Sequence, residues 1–204
     1  MTVSSANTSR AKEAPADREV NGPFDAREAI DVKPYVDFGG LLVRPREGLQ
    51  IRLEIEEESK RVVAITLDTG GLVVQVQAFA CSRSEGLWSE IRSQVEGQIS
   101  SQGGAVTPED GELGTMLRVK IPQPSGGTRE VLFVGVDGPR WFLRGVMSGP
   151  KMHDPDAVAR GIEVFRSIVV NRGSAPMPPR DLLPLRIPAP PVTSRNLGNG
   201  TAHQ

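Results

Sequence analysis

Residues 72–99 read LVVQVQAFACSRSEGLWSEIRSQVEGQI, and within them the hydrophobic period changes once. From Leu72 to Ala80, the apolar Val74, Val76 and Ala78 alternate with Gln75 and Gln77, the two-residue period of a strand with one buried face. From Ser84 onward, Leu87, Trp88, Ile91, Val95 and Ile99 recur every three or four residues, which is the period of an amphipathic helix. Ser84 is the expected N-cap, Glu85 falls in the first turn, and Gly103-Gly104 is the expected stop. The interior Gly97 costs such a helix about 1 kcal/mol relative to Ala. Packing on a sheet is therefore expected to hold it.

Upstream, Ile51, Leu53 and Ile55 alternate with Arg52, Glu54 and Glu56. The polar turn Glu57-Glu58-Ser59-Lys60 separates this strand from the β-branched run 61–67, and Asp68-Thr69-Gly70-Gly71 has turn chemistry leading into Leu72. Three strands joined this closely predict an antiparallel meander. Downstream a second meander is expected over 113–121, 130–136 and 141–147, with Asp137-Gly138-Pro139-Arg140 as its last hairpin. Asp154-Pro155 then opens a final helix, Asp as cap and Pro at the first helical position, with Val158, Ile162, Phe165 and Val169 along one apolar face. Two β-β-β-α units predict an α+β fold: a six-stranded or larger antiparallel sheet with helices packed on it.

Residues 1–22 hold hardly an apolar side chain and are expected to be a disordered tail. A single α+β domain is expected over 23–173. Its first part, 23–49, carries scattered anchors (Phe24, Ile30, Tyr35, Phe38, Leu41, Leu42 and Val43) broken by Pro23, Pro34, Pro45 and Gly39-Gly40, the pattern of a segment that wraps a body. Residues 174–191 read as an extended proline-rich C-terminal strap, docked through Leu182, Leu183, Leu185 and Ile187. Exposed leucines there would instead mark a peptide ligand for another domain. Residues 192–204 are expected to be a disordered tail.

Twenty-four Lys and Arg against 25 Asp and Glu leave a formal charge of -1, so nucleic-acid binding by bulk electrostatics is not expected. The one cysteine, Cys81, allows no internal disulfide. The first residues lack the apolar stretch of a secretory signal, and no run approaches the roughly 18 apolar residues of a spanning helix. These features predict a cytoplasmic protein without a membrane span.

Chemistry-bearing patterns are sparse. No Cys or His cluster suits a metal, and Glu54, Glu56, Glu57 and Glu58 fall on the solvent side of a strand and its turn. Ser125-Gly126-Gly127-Thr128 lacks the lysine and helix of a phosphate loop, and no Gly-x-Ser-x-Gly element supports a triad on His153. Cys81 sits before a helix N-terminus near Arg83, but the only candidate bases are His153 and His203. No catalytic residue, metal or cofactor is expected. The hairpin stands out: Arg140 beside Trp141 is a typical binding anchor, against the reading that Asp137-Gly138-Pro139 sets the turn while Trp141 fills the core. Arg83, Arg92, Arg140 and Arg144 would converge into an anion site if the first helix lies over the second meander. They would otherwise pair with Glu85, Glu90 and Asp137 or face water.

Four blocks carry a resemblance: Gly22-Pro23-Phe24-Asp25, Gln77–Ala80 continuing through Arg83–Trp88, Gly135–Gly145, and Pro178–Leu185. In this order they resemble a family of actinobacterial proteins known only as a domain of unknown function. The resemblance spans about Gly22 to Pro188 and implies an actinobacterial cytosolic protein without assigning an activity. The element order also resembles the Mog1 and PsbP type of sandwich, a fold-level likeness that does not fix function. The expected function is a non-catalytic binding or scaffold module for a protein partner or small anionic ligand, through Arg83, Trp88, Arg92, Asp137, Arg140, Trp141 and Arg144. The alternative is an enzyme acting on a small anionic substrate through Asp137 and Arg140.

Overall fold

The computed structural model describes residues 10–28 and 34–188. Ile30, the end of the expected strap at 189–191 and the expected tail at 192–204 lie outside them. A short helix, α1 (Arg18–Asn21), precedes three short strands, β1 (Phe24–Asp25), β2 (Val36–Asp37) and β3 (Leu41–Val43). The first meander follows as β4 (Gln50–Ile55), β5 (Val62–Asp68) and β6 (Val73–Ala80), closed by α2 (Trp88–Ser101). The second comprises β7 (Ala105–Gly111), β8 (Gly114–Pro122), β9 (Thr128–Asp137) and β10 (Trp141–Ser148), then α3 (Pro155–Arg166) and the short β11 (Val169–Val170).

The two meanders form one seven-stranded antiparallel sheet in the order β4-β5-β6-β10-β9-β8-β7, joined where β10 pairs with β6 from Trp141↔Ala80 to Ser148↔Val73. The edge strand β7 was not predicted, because Ala105-Val106-Thr107-Pro108-Glu109 offers no apolar alternation and contains a proline; the Pro is tolerated on an edge. A second sheet, β1-β11-β3-β2, gathers the segment expected to wrap the body, with β1 and β11 parallel.

Helices cover both faces. On one, α3 and the second sheet close a core containing Leu41, Val74, Val76, Leu132, Val134, Leu143, Met147 and Phe165. On the other, α2 rests Trp88 on Phe142 and Ile99 on Leu117 and Val119. Asp154 caps α3 as predicted, accepting from the Asp156 and Ala157 N–H groups. The α2 start differs from prediction: the helix begins at Trp88, and Ser84 is not its cap. The Asp137 carboxylate takes that role from across the sheet, accepting from the Leu87 N–H at 2.7 Å and lying 3.4 Å from that of Trp88. The stop is where the glycines placed it, with Gly103 at φ 75° and the Gly104 N–H on the Ile99 carbonyl.

Composition misjudged residues 10–22, expected to be disordered. Arg10–Glu13 lies along the β9-β10 hairpin: the Gly86 N–H donates to the Arg10 carbonyl, and Glu13 and Asp137 exchange backbone bonds with each other's carboxylate or carbonyl. The buried Arg18 pairs with Glu28, and Arg166 with Asp17 at 2.6 Å. Polar contacts hold this segment, which an apolar count cannot register.

Near the other end of the chain, β5 pairs with β6 only through Val73–Val76. Beyond that point residues 180–183 take its place: the Arg180 and Leu183 N–H groups donate to the Ala80 and Ala78 carbonyls, and the Ala80 N–H to that of Asp181. Gly40 and Phe38 continue the bonding to Pro184 and Arg186, which ties the two sheets together. Leu183 is 1% exposed while Ile187 is 68% exposed.

Candidate functional site

Asp137 ends β9 and is 2% exposed. Its carboxylate serves Leu87 and Trp88, and accepts from the Glu13 N–H at 3.0 Å; Lys12 reaches over it to the Gly138 and Pro139 carbonyls. Burial pushes the carboxyl above its ordinary pKa, against the pull of those three N–H donors and of Lys12. With its oxygens occupied, Asp137 holds the helix and hairpin together and does not face a ligand beside Arg140. The expected exposed Arg-Trp anchor is also not formed. Trp141 is fully buried and donates Nε1–H to Asp25 Oδ2 at 2.9 Å, with the Arg18 guanidinium 5.8 Å from its ring.

The arginines of the predicted anion site do not converge. Arg83 is exposed in the loop before α2. Arg92 makes a bidentate pair with Glu13 and stacks over Trp88 at 5.3 Å, and Trp88 itself is buried, its Nε1–H on the Thr115 carbonyl. Arg140 emerges beyond the hairpin toward β1 and β11. Arg144 alone stands under α2.

There α2 and the sheet enclose a groove of about 270 Å³, lined by Phe79, Leu87, Ile91 and Val95, with Gln94 and Gln98 on its rim. Phe79 stacks on Phe142 and Phe142 on Trp88, at 6.1 and 5.9 Å, so the one ring that lines the groove is backed by two buried ones. The half-buried Arg144 guanidinium lies 6.0 Å from the Phe79 ring and donates to the neutral Gln77 Oε1. No carboxylate among the described residues forms an ion pair with it, and burial pulls its pKa down, though a guanidinium stays charged. Glu90, at one end, is already shared by Arg10 and Arg180.

Nucleophile chemistry finds no support. Cys81 is 8% exposed, its thiol donates to the Glu85 carbonyl at 2.9 Å, and burial raises its pKa while Lys12 pulls the other way. His153 is exposed beside Glu130, 3.6 Å away, and His203 lies outside the described residues.

A protein family described as "Protein of unknown function (DUF3710)" matches residues 22–194. The chain belongs to the DUF3710 family. No curated protein and no solved structure matches it. The DUF3710 match takes in the whole groove, whereas Arg10–Asn21, which covers the hairpin, precedes it. No helix among the described residues of this DUF3710 chain is long and apolar enough to cross a membrane.

Apart from Arg144, the groove residues were visible only as an irregularity. Phe79 follows Gln75 and Gln77 on the polar register of β6, and an aromatic out of pattern on a solvent face signals something packed there. Ile91 and Val95 read as helix core, and nothing in sequence places Arg180 near them.

Proposed function

We propose that this protein is a non-catalytic binding module for a small ligand bearing one negative charge and an apolar body, held in the groove between α2 and the sheet. The carrying observation is Arg144: a half-buried guanidinium beside the Phe79 ring, whose side-chain partner among the described residues is the neutral Gln77. A buried charge is costly until an opposite charge meets it. A carboxylate or sulfonate at Arg144 supplies that charge, and Phe79, Ile91 and Val95 supply contact for a flat or aliphatic body. A cytosolic, actinobacterial setting and a Mog1 or PsbP type of sandwich belong to this same reading; they rest on the block resemblance and on the succession of strands and helices.

The test is calorimetric titration with 2-naphthoate. Arg144→Met keeps the length of the side chain and removes its charge, and is expected to weaken binding by about tenfold or more, the range of a charge-assisted hydrogen bond. Phe79→Ala should weaken it as well. Equal affinity in the folded Arg144→Met protein sinks the reading.

A further inference from the structure

A second cavity, of about 260 Å³, shares no lining residue with the groove. It forms because β1 and β11 run parallel, Phe24↔Val169 and Asp25↔Val170, so both strands end on the same side and release Ala26-Arg27 and Asn171–Ser174 next to each other. The Trp141 Nε1–H bond to Asp25 pins the β9-β10 hairpin against them, and that brings Arg140 to the rim.

Three guanidinium groups thus face one space. Arg172 is 8% exposed; its Nη1 donates to the Ala175 carbonyl at 2.8 Å, but its Nε is buried with no hydrogen-bond partner among the described residues. Arg140 forms no ion pair with a described residue. Burial first, and then the fields of Arg140 and Arg27, pull the Arg172 pKa down. The one carboxylate on the lining, Asp25, is spent on the Arg27 backbone and Nε and on Trp141. Pairing Asp25 with Arg27 leaves Arg140 and Arg172 without a carboxylate partner among the described residues. Such clustering without a counter-charge is unfavourable in the free protein. A compact ligand carrying two negative charges on one centre answers the pattern, while a single carboxylate leaves one guanidinium unmatched.

We propose that this cavity binds the phosphoryl dianion of a small phosphate monoester, with Arg140 and Arg172 on its oxygens and the Arg172 Nε–H as a buried donor. Guanidinium forks match phosphate oxygens two at a time, and Asn171 and Ser174 are at hand on the lining as further polar groups.

The experiment titrates the full chain with phenyl phosphate, with acetate and succinate as comparison anions. Phenyl phosphate should bind at pH 7.5, at least tenfold more tightly than either comparison anion. Affinity should fall as the pH drops below about 6, where the phosphate dianion takes up a proton and becomes a monoanion. Arg140→Met and Arg172→Met should each weaken binding about tenfold. Acetate or succinate matching phenyl phosphate overturns the assignment, as does absence of binding or unchanged affinity in Arg140→Met. Arg140 is only half-buried, so its variant decides the matter even if Arg172→Met does not fold.

Discussion

Replacing Asp137 by Ala is expected to destabilise the protein by about 3 to 5 kcal/mol, a large share of the roughly 5–15 kcal/mol that holds a domain folded. Three backbone donors, on Leu87, Trp88 and Glu13, lose their acceptor at a position 2% exposed, and each buried donor left unpaired costs about 1–3 kcal/mol. The start of α2 and the covering segment Arg10–Glu13 loosen together, because one carboxylate serves both. Asp137→Asn retains a carbonyl oxygen for the Leu87 N–H and should lose less. Its pH dependence is also diagnostic. Burial raises the carboxyl's folded pKa, so this group's contribution is fully present below the unfolded value of about 3.9 and declines as pH rises through the raised one. The asparagine variant lacks that decline, and its deficit against wild type should be smaller at pH 7 than at pH 4. Urea unfolding at the two pH values measures both effects. An alanine variant with the wild-type midpoint would falsify the capping role.

The same residue shows what sequence could and could not carry. Ile51–Ile55, Leu72–Ala80 and Trp141–Met147 were legible as strands because alternation is a local property that burial on one face enforces. The Asp154-Pro155 cap was legible because donor and acceptor are neighbours in the chain. Asp137 looked like a turn residue with a binding role, since its partners on α2 lie about fifty residues away. Arg140 and Arg144 were singled out as charges beside an unusual hairpin, but which cavity each enters depends on the β6-β10 pairing and on β1 meeting β11. Arg172 carried no local mark: it stands in the polar stretch after the last strand and becomes significant only once Arg27 and Arg140 arrive beside it. The docking of Arg10–Glu13 escaped for a related reason, its bonds being made by backbone and charged groups that resemble any solvated tail.

Gly145→Val is expected to cost on the order of 3 kcal/mol or more, and Gly135→Val a comparable amount, by overpacking. The two glycines sit in the adjacent strands β10 and β9, one register step apart, Arg144 facing Gly135 and Gly145 facing Val134. They open on opposite faces. A Cβ at 145 would lie 2.6 Å from Val134 Cγ2 and 2.8 Å from Phe165 Cε2, the aromatic that α3 drives into the core. At 135 it would lie 2.5 Å from Trp88 Cδ2 and Cε3 and 2.8 Å from Phe142 Cε2, where α2 is seated. Both obstructing rings are essentially fully buried, in an interior packed closely enough that a ring cannot turn aside without displacing its neighbours. A strand-interior glycine ordinarily weakens its sheet; here each one admits the anchor of one covering helix. The mechanism makes a specific claim about rescue: Phe165→Leu alone should destabilise, yet combined with Gly145→Val it should cost less than the two separate losses added together. Trp88→Leu should relieve Gly135→Val and leave Gly145→Val unrelieved, since the sheet separates the two contacts. Thermal unfolding of the four-variant cycle on each face measures the coupling. Strict additivity on both faces would mean that the glycines serve the strands themselves and not the helices packed on them.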